Sequence, residues 1–206
     1  MKTILCALFF FLAPYNTCAE SVLLYGDSIT KPGASSSTGA TSYADTLQAL
    51  RPDLYVVNGA SPGQVSWNLD GFDVVLEQDG PFDHVVILIG TNDIVGNPNY
   101  TAHQTFLNIW EMAKRAKNTG AEVWLMAPTP IDGRVVHQQR QLFTRDVANE
   151  LAHRDLDNVH SHIHFLYLRD EFTRTPWTPL SNDGLHPNSV GAALIGQFVA
   201  AALPSP

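Results

Sequence analysis

From residue 21 onward the chain carries five short apolar runs that lack the polar alternation of a half-solvated strand. They are Val22–Tyr25, Leu54–Val57, Val85–Ile89, Val123–Met126 and Ile163–Leu168. A strand whose successive side chains are nearly all apolar must be covered on both faces, as in a parallel sheet packed between helices. Helical patterns fill the intervals at Tyr43–Leu50, Val65–Glu77, His103–Asn118, His137–His153 and Ser189–Ala202. In the third of these, Phe106, Ile109, Trp110 and Ala113 recur at helical spacing, and Gly120 follows as a stop. In the last, Asn188 stands at the N-cap position before a run of Ala, Leu, Ile and Val. Parallel strands cannot be joined by tight hairpins and need crossovers. The expected fold class is therefore α/β, a three-layer α/β/α sandwich around a five-stranded parallel sheet. The 206 residues suit one such domain, and no repeat or long linker divides them.

The first nineteen residues follow another logic. Lys2 gives a short positive end, Ile4 to Ala13 an apolar run, and Thr17-Cys18-Ala19 a small-residue exit. That is the layout of a secretory signal peptide, with cleavage expected near Ala19 and a domain spanning 20–206. The run is far shorter than the ~20 apolar residues of a spanning helix, so no stable membrane insertion is expected after cleavage. Polar Tyr15-Asn16-Thr17 argues against a lipid anchor on Cys18. Both cysteines, Cys6 and Cys18, would leave with the leader, so the mature core would hold without a disulfide even in an oxidising compartment. Lys plus Arg number 12 against 20 for Asp plus Glu, a formal charge of -8, and no stretch gathers the cations. Nucleic acid and anionic membrane surfaces are disfavoured as partners on that ground. The expectation is a secreted or periplasmic protein of undetermined oligomeric state.

Candidate chemistry lies just past the strands. The first runs into Gly26-Asp27-Ser28, the second into Asn58-Gly-Ala-Ser-Pro-Gly63, and the third into Gly90-Thr-Asn-Asp93. The C-terminal ends of parallel strands border one crevice, where open α/β sheets bind ligands. A fourth cluster, Asp183-Gly-Leu-His-Pro187, precedes the last helix. Ser28 sits on a tight strand-to-helix turn, although Thr30 breaks the Gly-x-Ser-x-Gly elbow of α/β-hydrolases. Asp183, three residues before His186, can accept from one ring nitrogen and leave the other to take a proton from Ser28. The same five residues also read as a helix-start turn in which Asp183 caps. Asn92 and Gly63 can supply donors to an oxyanion, or serve as turn residues.

Taken together, these four blocks resemble the SGNH-hydrolase superfamily, the GDSL esterases and lipases. The matching residues are Gly26-Asp27-Ser28, Gly63, Gly90-Thr91-Asn92-Asp93 and Asp183-Gly184-Leu185-His186-Pro187, in order along the chain after the leader. The resemblance implies a flavodoxin-like sheet and a serine esterase working through an acyl-enzyme. Within it Ser28 is the nucleophile, His186 the base and Asp183 its orienter, with Ser28, Gly63 and Asn92 as the oxyanion hole. Gly63 is preferred to Gly59 because the family's donor glycine closes its segment, although Pro62 departs from the small polar residue often found before it. Asp27 and Asp93 are expected to order their own turns. No metal or organic cofactor is implied, and the expected partner is a small-molecule ester with a small to medium acyl group. A carbohydrate O-deacetylase and a lysophospholipase or thioesterase are alternatives within the family, and a flavin- or glycan-binding module is the alternative outside enzymes.

Other features weigh less. His160, His162 and His164 alternate, but the first two are expected in the loop before the fifth strand, and no carboxylate cluster accompanies them in sequence. The tract Ser35–Ser42 resembles a flavodoxin phosphate loop but starts several residues after Ser28 and has no lysine. Trp177, in a loop leading to Asp183, is a candidate substrate contact, and Phe172 a lesser one, whereas Trp67 is expected to be packing. Asn99-Tyr100-Thr101 is a glycosylation sequon that matters only in a eukaryotic host.

Overall fold

The computed structural model describes residues 19–32, 42–132, 138–156, 161–168 and 178–205. The leader up to Cys18, most of the Ser35–Ser42 tract, His160, Phe172 and Trp177 lie outside the described residues. Five strands form one sheet: β1 (Glu20–Gly26), β2 (Leu54–Asn58), β3 (His84–Leu88), β4 (Glu122–Met126) and β5 (Ile163–Leu166). Their order is β2-β1-β3-β4-β5 and every neighbouring pair is parallel. The helices are α1 (Tyr43–Leu50), α2 (Leu69–Asp79), α3 (Asp93–Gly96), α4 (Ala102–Asn118), α5 (Gln138–Leu156) and α6 (Ser189–Ala202).

Alternate residues of each strand feed two cores, one on each face of the sheet. Leu23, Tyr25, Val85, Ile87, Val123 and Leu125 meet Phe72 of α2, Ile109 and Met112 of α4, and Val147 of α5. Val22, Leu24, Val86, Leu88 and Met126 meet Tyr43 and Leu47 of α1 and Ile195 and Val199 of α6. The unalternated apolar runs are explained by this double coverage, and all five residues of β3 are buried.

Helix ends follow local chemistry. Asn188 caps α6 by accepting from the N–H groups of Val190 and Gly191, and Thr101 and Gln104 form a capping box at α4. Gly120 takes φ +99 just past α4, a left-handed stop that glycine adopts without a Cβ penalty. Helix α2 starts at Leu69 rather than at Val65. Residues 65–68 instead form a turn whose Ser66 N–H donates to Asp93 at 2.9 Å, and Asn68 then caps the helix through Gly71 N–H. β5 ends at Leu166, two residues short of the apolar run.

The chain passes from β1 outward to β2 and returns to β3 on the other side of β1. This is a topological switch point, and the crevice of an open α/β sheet opens there. Gly26, the last residue of β1, borders it. A Cβ at Gly26 would overlap the Leu88 carbonyl oxygen of the neighbouring strand and the Thr30 hydroxyl of the following turn. Gly26→Ala should therefore destabilise the fold by about 1–3 kcal/mol, the usual cost of overpacking. Urea denaturation checks this, and an unchanged midpoint would show that β1 and β3 can separate without loss.

Candidate active site

Ser28 follows β1 on a short turn held by Asp27. The Thr30 and Lys31 N–H groups donate to the Asp27 carbonyl at 3.1 and 3.0 Å, and the Ile29 N–H donates to its carboxylate at 2.9 Å. This leaves Ser28 at the apex with its side chain turned toward the segment before α6. There the Ser28 hydroxyl lies 2.9 Å from Nε2 of His186. Nδ1 of the same ring lies 2.7 Å from Oδ2 of Asp183. Residues 158 positions apart in sequence thus form one hydrogen-bonded line.

The Asp183 turn is built to hold its carboxylate. Oδ1 accepts from the N–H groups of Leu185 and His186 at 2.9 and 2.7 Å, and from the Ser181 hydroxyl at 3.2 Å. Gly184 takes φ +81 at the corner. Its carbonyl accepts from Asp132 N–H at 2.9 Å, and a Cβ there would overlap the Asp132 carboxylate. Only glycine fits both the left-handed backbone and that close approach. Partial burial alone would raise the Asp183 carboxyl, but the side-chain and backbone hydrogen bonds from His186 and the one from Leu185 outweigh it and hold it at about 2. Asp183 is therefore ionised at neutral pH and can only accept. The proton of a neutral His186 then belongs on Nδ1, which leaves Nε2 free to accept from the Ser28 hydroxyl.

Asp27 is the electrostatic opposite. Complete burial pushes its carboxyl up to about 7, against the Ile29 N–H and the positive charges of His186 and Arg140, with Asp93 adding to the rise. Its Oδ2 is buried without a hydrogen-bond partner among the described residues.

On the far side of Ser28, the loops after β2 and β3 interlock. Gly59 N–H donates to the Leu24 carbonyl at 3.0 Å, continuing the sheet, and Ser61 N–H donates to the Gly26 carbonyl at 3.1 Å. Gly63 then takes φ +78, and no described residue beyond its chain neighbours lies within 4 Å of where its Cβ would be. One amide hydrogen of Asn92 goes to the Gln64 carbonyl at 3.1 Å, and the Gln64 side chain is pinned by Tyr25 Oη at 2.7 Å. The N–H groups of Ser28 and Gly63 and the second amide hydrogen of Asn92 have no protein partner among the described residues. Gly59, by contrast, has already spent its donor on Leu24. Three uncommitted donors on the loops flanking Ser28 are candidates for binding a developing oxyanion, which needs donors aimed at it.

Asp93 ties the whole arrangement together from beneath, as its place in the third block suggests. It is fully buried, and its carboxylate accepts from Ser66 N–H and the Ser66 hydroxyl, and from the Thr105 hydroxyl at 2.5 Å. Ser66 and Thr105 carry no motif and could not have been singled out from sequence. Nor could Asp132, which reaches Gly184 only through the fold.

The alternating histidines come to a different end. His162 lies just before β5 and His164 on it, as the strand boundary implied. Parallel pairing of β4 with β5 brings them to a carboxylate that the sequence did not reveal: Glu122 accepts from His162 Nδ1 at 2.5 Å and His164 Nε2 at 2.6 Å. Among the described residues no group of His, Cys, Asp and Glu is arranged to hold a metal ion. No described helix is long and apolar enough to cross a membrane.

A serine hydroxyl, an imidazole and a carboxylate in one hydrogen-bonded line beside a sheet's switch point form a candidate catalytic site. Comparison with known proteins agrees. The profile of the GDSL-like Lipase/Acylhydrolase family matches residues 24–194, and the chain belongs to that family. It is a hydrolase of ester bonds. Among solved structures it resembles a lipase/acylhydrolase from Enterococcus faecalis, at 23% identity and TM-score 0.65, covering 89% of this chain and 94% of that one. A member of the lipolytic G-D-S-L family from Veillonella parvula matches at 18% identity and TM-score 0.71, covering 90% and 98%. An acetylxylan esterase from Geobacillus stearothermophilus, solved as a catalytic mutant, matches at 19% and TM-score 0.65, covering 91% and 95%. No curated protein sequence matches the chain at a significant level.

The Asp27 environment makes a pH prediction. Its folded value of about 7 lies above the unfolded 3.8. Between those values the folded chain holds a proton that the unfolded chain has released, so this group lowers stability as pH rises through that window. Asp27→Asn cannot ionise and should gain on the wild type between about pH 4 and about pH 8, read by urea denaturation at both. A stability gap that stays constant across the window would show that Asp27 does not titrate there.

Proposed function

We propose that this chain is an exported serine esterase that cleaves small to medium acyl esters through an acyl-enzyme intermediate. The observation that carries this is the hydrogen-bonded line from Ser28 through His186 to Asp183. In the first half-reaction His186 Nε2 takes the Ser28 proton as the serine oxygen attacks the ester carbonyl. The tetrahedral oxyanion receives the free N–H groups of Ser28, Gly63 and Asn92. Asp183 stabilises the imidazolium and keeps its ring in place. His186 then gives its proton to the leaving alcohol, and the acyl group stays on Ser28. In the second half water replaces the alcohol, His186 takes its proton, and the carboxylic acid is released as Ser28 is reprotonated. Each proton is returned, so the steps need only these residues and water.

The leader-like residues 1–19 support export to a periplasm or beyond the cell, with the mature enzyme spanning 20–206. Small to medium acyl groups are proposed from the resemblance to the family's esterases. Trp177 remains a candidate substrate contact from its place before Asp183.

Hydrolysis of p-nitrophenyl acetate, butyrate and octanoate by the mature chain tests the proposal. Activity should fall from acetate to octanoate and vanish in Ser28→Ala, while that variant melts as the wild type does. Retained turnover in Ser28→Ala would refute the serine mechanism. Asn92→Ala should lower kcat by about 10²–10³, the usual cost of removing one oxyanion donor. Near-normal kcat there would remove Asn92 from the oxyanion hole.

A further inference from the structure

Gly63 stands in a turn whose geometry its residues dictate. Gln64 N–H donates to the Ser61 carbonyl at 3.1 Å and closes the turn Ser61-Pro62-Gly63-Gln64. Pro62 cannot take a positive φ and Gly63 does, at +78, which is the pattern of a type II turn. Such a turn does not use the N–H of its third residue, and Gly63 N–H has no partner among the described residues. Both ends of the turn are gripped by β1. Ser61 N–H donates to the Gly26 carbonyl at 3.1 Å, and the Gln64 side-chain amide donates to Tyr25 Oη at 2.7 Å. Tyr25 and Gly26 are consecutive and end β1 just before the Ser28 turn.

The first grip joins backbone to backbone, so most residues could make it. The second needs this pair of side chains. Tyr25 is buried, and its ring meets Phe72 of α2 edge to face at 4.8 Å between centroids, so the hydroxyl it presents is fixed. Burial raises the phenol above its ordinary pKa, which keeps it a neutral hydroxyl able to accept from an amide. Packing alone asks no hydroxyl of this position, since phenylalanine would fill the same core. The Gln64 carbonyl in turn accepts one amide hydrogen of Asn92 at 3.1 Å. That amide is planar, so fixing one N–H fixes the direction of the other. Gln64 is thus the joint between two candidate oxyanion donors, next to Gly63 in the chain and bonded to Asn92 across the loops. Donors help only when aimed at the developing charge, and a misplacement on the order of 1 Å can cost about a hundredfold.

We propose that Tyr25 is a positioning residue for ester cleavage, whose hydroxyl, through Gln64, holds the Gly63 turn and Asn92 in register with Ser28. The inference rests on the serine-esterase function proposed above, and its test separates the two. Tyr25→Phe keeps the ring in the core and removes only the hydroxyl. Gln64→Ala removes the same hydrogen bond from the crevice side without touching the core. Each should lower kcat for p-nitrophenyl acetate by about tenfold while KM stays within about twofold. Each should also raise the Ki of trifluoroacetone by about tenfold, because its carbonyl takes up the Ser28 oxygen and leaves an oxyanion for the donors to hold. Ki does not depend on the fraction of enzyme folded, so a folding defect cannot imitate that loss. Because both variants break one hydrogen bond, the double variant should be no slower than the slower single. Wild-type kcat and Ki in Tyr25→Phe, or losses that multiply in the double variant, would overturn the role and leave the esterase intact. If the wild type cleaves no ester, the esterase reading falls, and backbone NMR relaxation at Gly63 decides the clamp. An order parameter that drops in both single variants supports Tyr25 as the anchor of the turn, and an unchanged one overturns it.

Discussion

Asp93 carries a carboxylate out of contact with solvent, and much of the crevice edge is arranged around satisfying it. Burial pushes its pKa up, while the Ser66 and Thr105 hydroxyls and the Ser66 N–H pull against that rise. Those partners come from the loop after β2 and from α4, so one side chain fastens two separate elements to the end of β3. Removing it would leave buried donors unmatched, the costly side of hydrogen-bond energetics. Asn92, immediately before it, is thereby presented at the crevice with one amide hydrogen committed to Gln64 and the other available. Asn92 and the loop after β2 are held where they are through this hidden group.

A second consequence follows from the sheet. Because all five strands run in parallel, their C-terminal ends meet on one edge, and loops far apart in sequence share a single crevice. Within it, two carboxylates are driven in opposite directions. Asp183, partly exposed and rich in N–H donors, is held at about 2. Asp27, buried next to Ser28 with one oxygen unpartnered among the described residues, is raised to about 7. Environments that separate like groups in this way assign them different work. Asp183 can support a cation on His186 at any ordinary pH, and Asp27 shapes the turn on which Ser28 stands.

Much of this was legible in the residues themselves. Unalternated apolar runs gave the parallel sheet because double coverage leaves no reason for polar alternation, and α1 and α6 keep the bounds that their patterns set. The four blocks could be read because their residue types are those that the chemistry requires. What was hidden depends on contacts across the fold. The stretch 65–68 looks helical, yet Ser66 is drawn out of the helix by Asp93. Glu122 is the carboxylate that meets His162 and His164, forty residues and more away, and only the β4–β5 register places it there. Trp67 reads as packing in the sequence, and the structure leaves its ring partly in solvent because Gly96 and Tyr100 support it from one side.

The central claim is that Ser28 is made nucleophilic by His186. A fluorophosphonate ester tests it most directly, because the serine oxygen displaces fluoride and keeps the phosphonyl group. Intact-mass and peptide mapping after labelling should show one adduct, on Ser28, formed rapidly in the wild type and hardly at all in His186→Ala. An adduct on another residue, or equal labelling with and without His186, would contradict the account.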